Sequence, residues 1–107
     1  MVRGQCAAWD VYVRLTSGLL PLLTGNRIDD EAVNPALGGV VSRILRYAPL
    51  WGEHGRMLVA AMRSAVHLYR TGDHRDLADL LRVVADRLYV LSAGGGLTRR
   101  TDDRAAP

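Results

Sequence analysis

Arg56, Arg63 and Arg70 stand seven residues apart. In a helix, seven residues make nearly two turns, so the three guanidinium groups line one stripe. His67 falls close to the same side, one turn from both Arg63 and Arg70. No Asp or Glu occurs between His54 and Gly72, so no neighbour on the same helix neutralises the row. The chemistry of such a row is anion recognition, because guanidinium is planar, always charged and able to grip carboxylate or phosphate with paired hydrogen bonds. One expectation is an ordinary solvated face, or a face paired with Asp76, Asp79 and Asp86 of the following helix. The other is a binding surface for nucleic acid or an acidic protein, in which Arg43 and Arg46 support Arg56, Arg63, His67 and Arg70. The absence of a helix-turn-helix pattern argues against a base-reading operator module.

The remaining chemistry-bearing residues point to no reaction. His74-Arg75-Asp76-Leu77-Ala78 resembles the catalytic-loop motif of protein kinases, but the chain is far too short for that enzyme. It also has no glycine-rich phosphate loop and no lysine to pair with phosphates. The stretch reads better as a helix start, with Asp73 as the cap. His54, His67 and His74 are separated by thirteen and seven residues, neither of which sets two metal ligands on one helix face. Gly94-Gly95-Gly96 lacks the strand and the Lys-Ser/Thr of a phosphate loop, and reads as a helix terminus with a flexible joint. No nucleophile-elbow pattern is present. Cys6 is the only cysteine, so no internal disulfide and no multi-cysteine metal site can form. No catalytic, cofactor-binding or metal-ligating residue is therefore expected.

The totals set the frame for these residues. A chain of 107 residues fits one domain with one modest core. Apolar residues make up 49% of it, well above the range of disordered chains. All 14 basic residues are arginine, a bias that follows codon composition as readily as function. The net charge is +3, and most of the excess lies between residues 32 and 72. The single cysteine suits a reducing compartment, and no secretory leader is visible, so a cytoplasmic location is expected. The longest apolar uncharged run, from Leu15, is too short to span a bilayer.

Four helices are expected to position the arginine row. The first segment is ambiguous: Trp9, Val11, Val13 and Leu15 alternate with polar residues as in a strand, whereas Trp9, Val13, Thr16, Leu20 and Leu23 share a helical stripe. A helix is preferred, with Gly18 and Pro21 kinking or breaking it and Gly25 as a left-handed cap. Arg27 to Asn34 reads as a loop whose acids Asp29, Asp30 and Glu31 could begin a helical turn. The second helix is expected to start at Asn34 as N-cap with Pro35 in the first position, and to end at Ala48-Pro49. Its Gly38-Gly39 pair weakens it and could admit another backbone closely. The third runs from about Trp51 to Arg70, ended by Thr71-Gly72. The fourth begins at Asp73, with Asp76 three residues on as in a capping box.

The fourth helix carries a stripe of Leu77, Leu80, Leu81, Val84, Leu88 and Leu91, with Val83 and Val90 outside it. That apolar surface is wider than one buried face needs. Leu80, Val83, Val84, Leu88, Val90 and Leu91 are accordingly a candidate interface, and a two-fold homodimer is the expected assembly. The sequence thus predicts an all-α bundle of about four helices over residues 1–97, with a disordered tail at 98–107. Its expected role is that of a non-enzymatic interaction protein that self-associates or binds another protein. A nucleic-acid-associated regulator using the arginine row is the alternative.

Overall fold

A computed structural model describes residues 3–25 and 28–94 of the chain. The expected tail at 98–107 lies outside the described residues. The described chain is all-α. Its elements are α1 (Arg3–Val13), a π-helical stretch (Arg14–Leu19), α2 (Leu20–Thr24), α3 (Asp30–Tyr47), a 3-10 turn (Ala48–Trp51), α4 (Glu53–Arg70) and α5 (His74–Ser92). No strand occurs among the described residues, so the alternation over residues 9–16 is not a strand signal here. No helix of the described residues is long and apolar enough to cross a membrane.

The first helix buries a different stripe from the one its spacing suggests. Val11, Leu15, Leu19 and Leu23 point into the core, whereas Trp9 and Val13 are exposed. Those core positions step by four, and four residues of regular α-helix overshoot one turn by about 40°. The π-helical stretch widens the turn and absorbs the overshoot: the Leu20 amide donates to the Leu15 carbonyl, five residues back. Gly18 and Pro21 therefore do not break the helix, which runs on to Thr24. Gly25 is extended, with φ −76° and ψ 173°, so the left-handed cap expected there does not form.

The second expected helix starts earlier than Asn34. Asp29 is the N-cap, and its side chain accepts from the Glu31 amide at 3.0 Å. The Ala32 and Val33 amides donate to the Asp29 carbonyl. Asp30 and Glu31 then sit at the positive end of the helix dipole, which favours them. Pro35 consequently lies inside α3 rather than at its first position, where it forfeits one bond. The acids outweigh the proline because three anionic groups and a side-chain cap act together in one turn.

At the other end of α3, the chain turns through the 3-10 residues and Gly52, whose φ of 58° suits glycine alone. Trp51 belongs to this turn and not to α4. It is buried, and its indole N–H donates to the Gly4 carbonyl at 2.8 Å. That bond satisfies a buried donor and pins the start of α1 over the turn. Gly55 explains why the first turn of α4 fits beneath it, since a Cβ there would collide with the Ala48 carbonyl.

The α4–α5 connection is set as expected. Gly72 has φ 80°, the Asp73 amide donates to the Leu68 carbonyl at 2.9 Å, and the Gly72 amide donates to Tyr69. These are the two bonds of a Schellman stop. Asp73 then caps α5, its side chain accepting from the Asp76 amide at 3.4 Å. Asp30 and Tyr69 join the neighbouring ends of α3 and α4, the phenol donating to the carboxylate at 3.3 Å. The core gathers one face from each helix, including Leu37, Ile44, Leu58, Met62, Leu77, Leu81 and Leu88. α5 packs against α1, α2 and α4, while α3 covers α4 on its other side.

Candidate interaction site

The arginine row is where its spacing puts it. Arg56, Arg63, His67 and Arg70 are all exposed along α4. The flanking positions Leu58, Met62 and Ala65 go to the core, and Val59 and Val66 are half-buried beside the row. Among the described residues the ion pairs are Arg14–Asp10 at 3.2 Å and Arg82–Asp79 at 2.8 Å. None of Arg43, Arg46, Arg56, Arg63 or Arg70 takes part in one. The pairing with Asp76, Asp79 or Asp86 of α5 is thus not formed. α5 lies on the far side of α4 from the row, and Asp79 turns to Arg82 on its own helix.

The six basic candidates do not form one face. Arg56 and Arg63 line a groove of 780 Å³ together with Leu45, Pro49, Glu53 and Val59. Arg43 instead lines a separate hollow of 250 Å³ with Arg14, Gly18 and Gly39, against the first helix. Arg46 is exposed and lies one turn along α3 from Arg43, on Arg43's side of that helix. Residues 43 and 46 therefore belong to the α1 side of α3, whereas the α4 row belongs to the opposite side. Sequence spacing within one helix located the row. Which face of α3 meets it depends on how the two helices are rotated against each other.

The groove continues along the α3–α4 seam. A second hollow of 390 Å³ is lined by Val41, Leu45, Val59, Met62, Arg63 and Val66. It shares Leu45, Val59 and Arg63 with the first. The seam thus has an apolar floor from both helices and an arginine wall from α4 alone. Leu45 is 52% exposed, a large apolar side chain left open to solvent in the middle of the floor. Sequence reading missed Leu45 and Val41 as site residues. The available signal was their spacing of four on the flank of the α3 core stripe.

The α5 interface candidates divide sharply. Val84, Leu88 and Leu91 are buried in the core, covered by α1 and by the leucines of the π-helical stretch. A partner cannot reach them, so they are corrected from interface to core residues. Leu80 is half-buried against the same core. Only Val83, 65% exposed, and Val90, 43% exposed, remain available. No backbone of the same chain approaches Gly38 or Gly39, since nothing lies within 4 Å of a Cβ at either position.

A further exposed aromatic group bridges α1 and α5. Trp9 stacks on Tyr12 with ring centroids 5.4 Å apart, and Tyr12 meets Tyr89 at 5.5 Å. Cys6 is exposed on α1. His74 packs edge-on against Tyr69 at 6.1 Å, and no group of three or more metal-ligating side chains is assembled among the described residues. The Tyr69 phenol is held above its ordinary pKa, first by desolvation and then by the Asp30 carboxylate. Asp76 is raised by its hydrogen bond with Asp73 and by that residue's charge.

The fold and the seam define a small helical bundle with an open, basic-walled apolar groove. Compared with known proteins, the chain matches no family model, no curated protein and no solved structure.

Proposed function

We propose that this chain is a non-enzymatic interaction module whose binding face is the α3–α4 seam, and that the seam receives an amphipathic helix bearing acidic residues. The observation that carries this reading is the combination of an apolar floor, with Leu45 52% exposed, and the arginine wall of Arg56 and Arg63. A groove between two helices is a common seat for a third, which lays its apolar side on the floor. The unpaired guanidinium groups choose among such helices by charge, speeding encounter with acidic partners and repelling basic ones. Nothing in this role requires a catalytic group.

The test is a nuclear magnetic resonance titration with a synthetic amphipathic helix carrying valines and glutamates. Amide shifts concentrated at Val41, Leu45, Val59, Arg63 and Val66, weakening with added salt, are expected. Shifts elsewhere, or none, would sink the reading.

A nucleic-acid role is the second reading, favoured by three guanidinium groups that no acid neutralises. Each phosphate contact would add about one unit to the salt dependence of binding. The separation of Arg43 and Arg46 from the α4 row leaves a narrow footprint for it. Binding of nonspecific duplex DNA that loses affinity steeply with salt, and is weakened by Arg63→Ala, is the result that would favour this second reading.

A further inference from the structure

One stripe on the outer face of α5, bordered by Arg82 and Arg87, repeats the pattern of the α4 wall with charge inverted. Along α4, Val59, Arg63, Val66 and Arg70 follow one another at steps of four, three and four. Along α5, Asp79, Val83, Asp86 and Val90 follow at the same steps. Such spacing keeps each set within one narrow stripe of its helix. Val59 and Val66 are half-buried beside the exposed arginines, and on α5 all four residues are exposed. Because the step pattern reads the same in both directions, an antiparallel pairing brings the two stripes into register. Val59 then meets Val90, Arg63 meets Asp86, Val66 meets Val83, and Arg70 meets Asp79.

Within one chain this contact cannot form, since α5 turns that face to solvent and α3 covers the opposite side of α4. Resting on the groove reading above, we infer that the occupant of the α3–α4 seam is the outer face of α5 from a second copy of this chain. The match accounts for two otherwise separate features, namely the arginines without acids and the two valines left exposed outside the core stripe. Asp79 already holds Arg82 at 2.8 Å, but both side chains are more than half exposed and the pair is readily exchanged. Because α5 lies on the far side of α4 from the row, the two surfaces face different ways and are not both used between the same two copies, so the contact is head-to-tail rather than two-fold. It leaves a free groove at one end and a free α5 face at the other, and growth proceeds beyond two copies into a ring or an open series.

Sedimentation velocity across a concentration series tests this with three full-length chains: the wild type, Arg63→Asp/Arg70→Asp, and Asp79→Arg/Asp86→Arg. The wild type is expected to grow past twice the monomer mass at low salt. Each variant alone should associate about tenfold more weakly or worse, because only like charges meet. Mixed, the two variants present two matched contacts, the acid-bearing α5 of the first on the basic groove of the second and the arginine-bearing α5 of the second on the acidic groove of the first, so the mixture should regain growth past the 1:1 heterodimer. Far-ultraviolet circular dichroism checks that all three are folded. A wild type that stays monomeric, a variant that associates as the wild type does, or a mixture that fails to pair overturns the inference. Titrating the synthetic acidic helix into the Asp79→Arg/Asp86→Arg chain, whose groove is intact, separates the two proposals. Binding there alongside a monomeric wild type leaves the groove reading standing and removes only the second copy as its occupant.

Discussion

On α4 the residues that recur most conspicuously are Arg56, Arg63 and Arg70, and all three are exposed. On α5 they are Leu77, Leu81, Val84, Leu88 and Leu91, each at most 2% exposed. Both helices are long, amphipathic and ended by a positive-φ glycine. They differ in how many neighbours surround them. α5 is packed by α1, α2 and α4, so one full stripe is covered while Val83, Tyr89 and Val90 stay open on its outer side. α4 has α3 on one flank and α5 on the other, and its basic stripe falls at the open seam with α3. Periodicity marks a stripe on either helix, but the number of covering neighbours decides whether it becomes core or surface.

Substitutions sharpen this contrast. The largest effect is expected from Leu88→Ala, which opens a cavity in the covered stripe and should cost about 2–5 kcal/mol in denaturant unfolding. A loss below about half a kilocalorie per mole there would mean that α5 is not packed as described. Gly55→Ala comes next, at about 1–3 kcal/mol, because its Cβ meets the Ala48 carbonyl and the turn beneath Trp51 must move. The same change at Gly38 has the opposite sign. With nothing within 4 Å of the new Cβ, better helix propensity should raise stability by about 1 kcal/mol. A destabilised Gly38→Ala chain would show that this position of α3 is not open to a side chain.

Arg63→Ala should move stability by no more than about 0.5 kcal/mol while weakening whatever the groove binds. A large loss of stability would place Arg63 in a structural role and break the contrast with α5. The smallest effect concerns Asp76. Its folded pKa is raised, so the folded chain holds that proton more tightly than the unfolded chain does. The stabilisation is therefore complete below the unfolded carboxylate value and is lost as pH rises through the folded value. Asp76→Asn should remove this component, so that thermal melts of the two chains diverge progressively from acid to neutral pH. Parallel curves would show that Asp73 and Asp76 do not interact.

The elements whose ends are written in local chemistry were readable from residues alone. Asp73 as cap, Gly72 as stop and the stripe of α5 all depend on groups within a few positions of one another. The start of α3 shows the limit of such reading. Asn34-Pro35 is a good local start, but Asp29 with two further acids is a better one, and starting there also seats Val33 in the core. The first helix shows the same limit in another form. Its Trp9–Val13 stripe obeys helical spacing, yet α1 buries the opposite face with Ala7, Ala8 and Val11, and the π-helical turn keeps Leu15, Leu19 and Leu23 in line with it.

By itself the sequence determined an all-α chain, a basic row on one helix, and a capped and strongly amphipathic final helix. These follow from composition, charge and periodicities that act along one helix at a time. The tertiary structure decided which stripe is buried, which flank of α3 meets the arginines, and that Arg43 and Arg46 face away from Arg56 and Arg63. It also decided that Leu45 forms the floor of the seam. Those outcomes depend on the rotation of each helix about its axis and on which neighbour covers it. Both are set by contacts between residues far apart in the chain, which no single window of sequence contains.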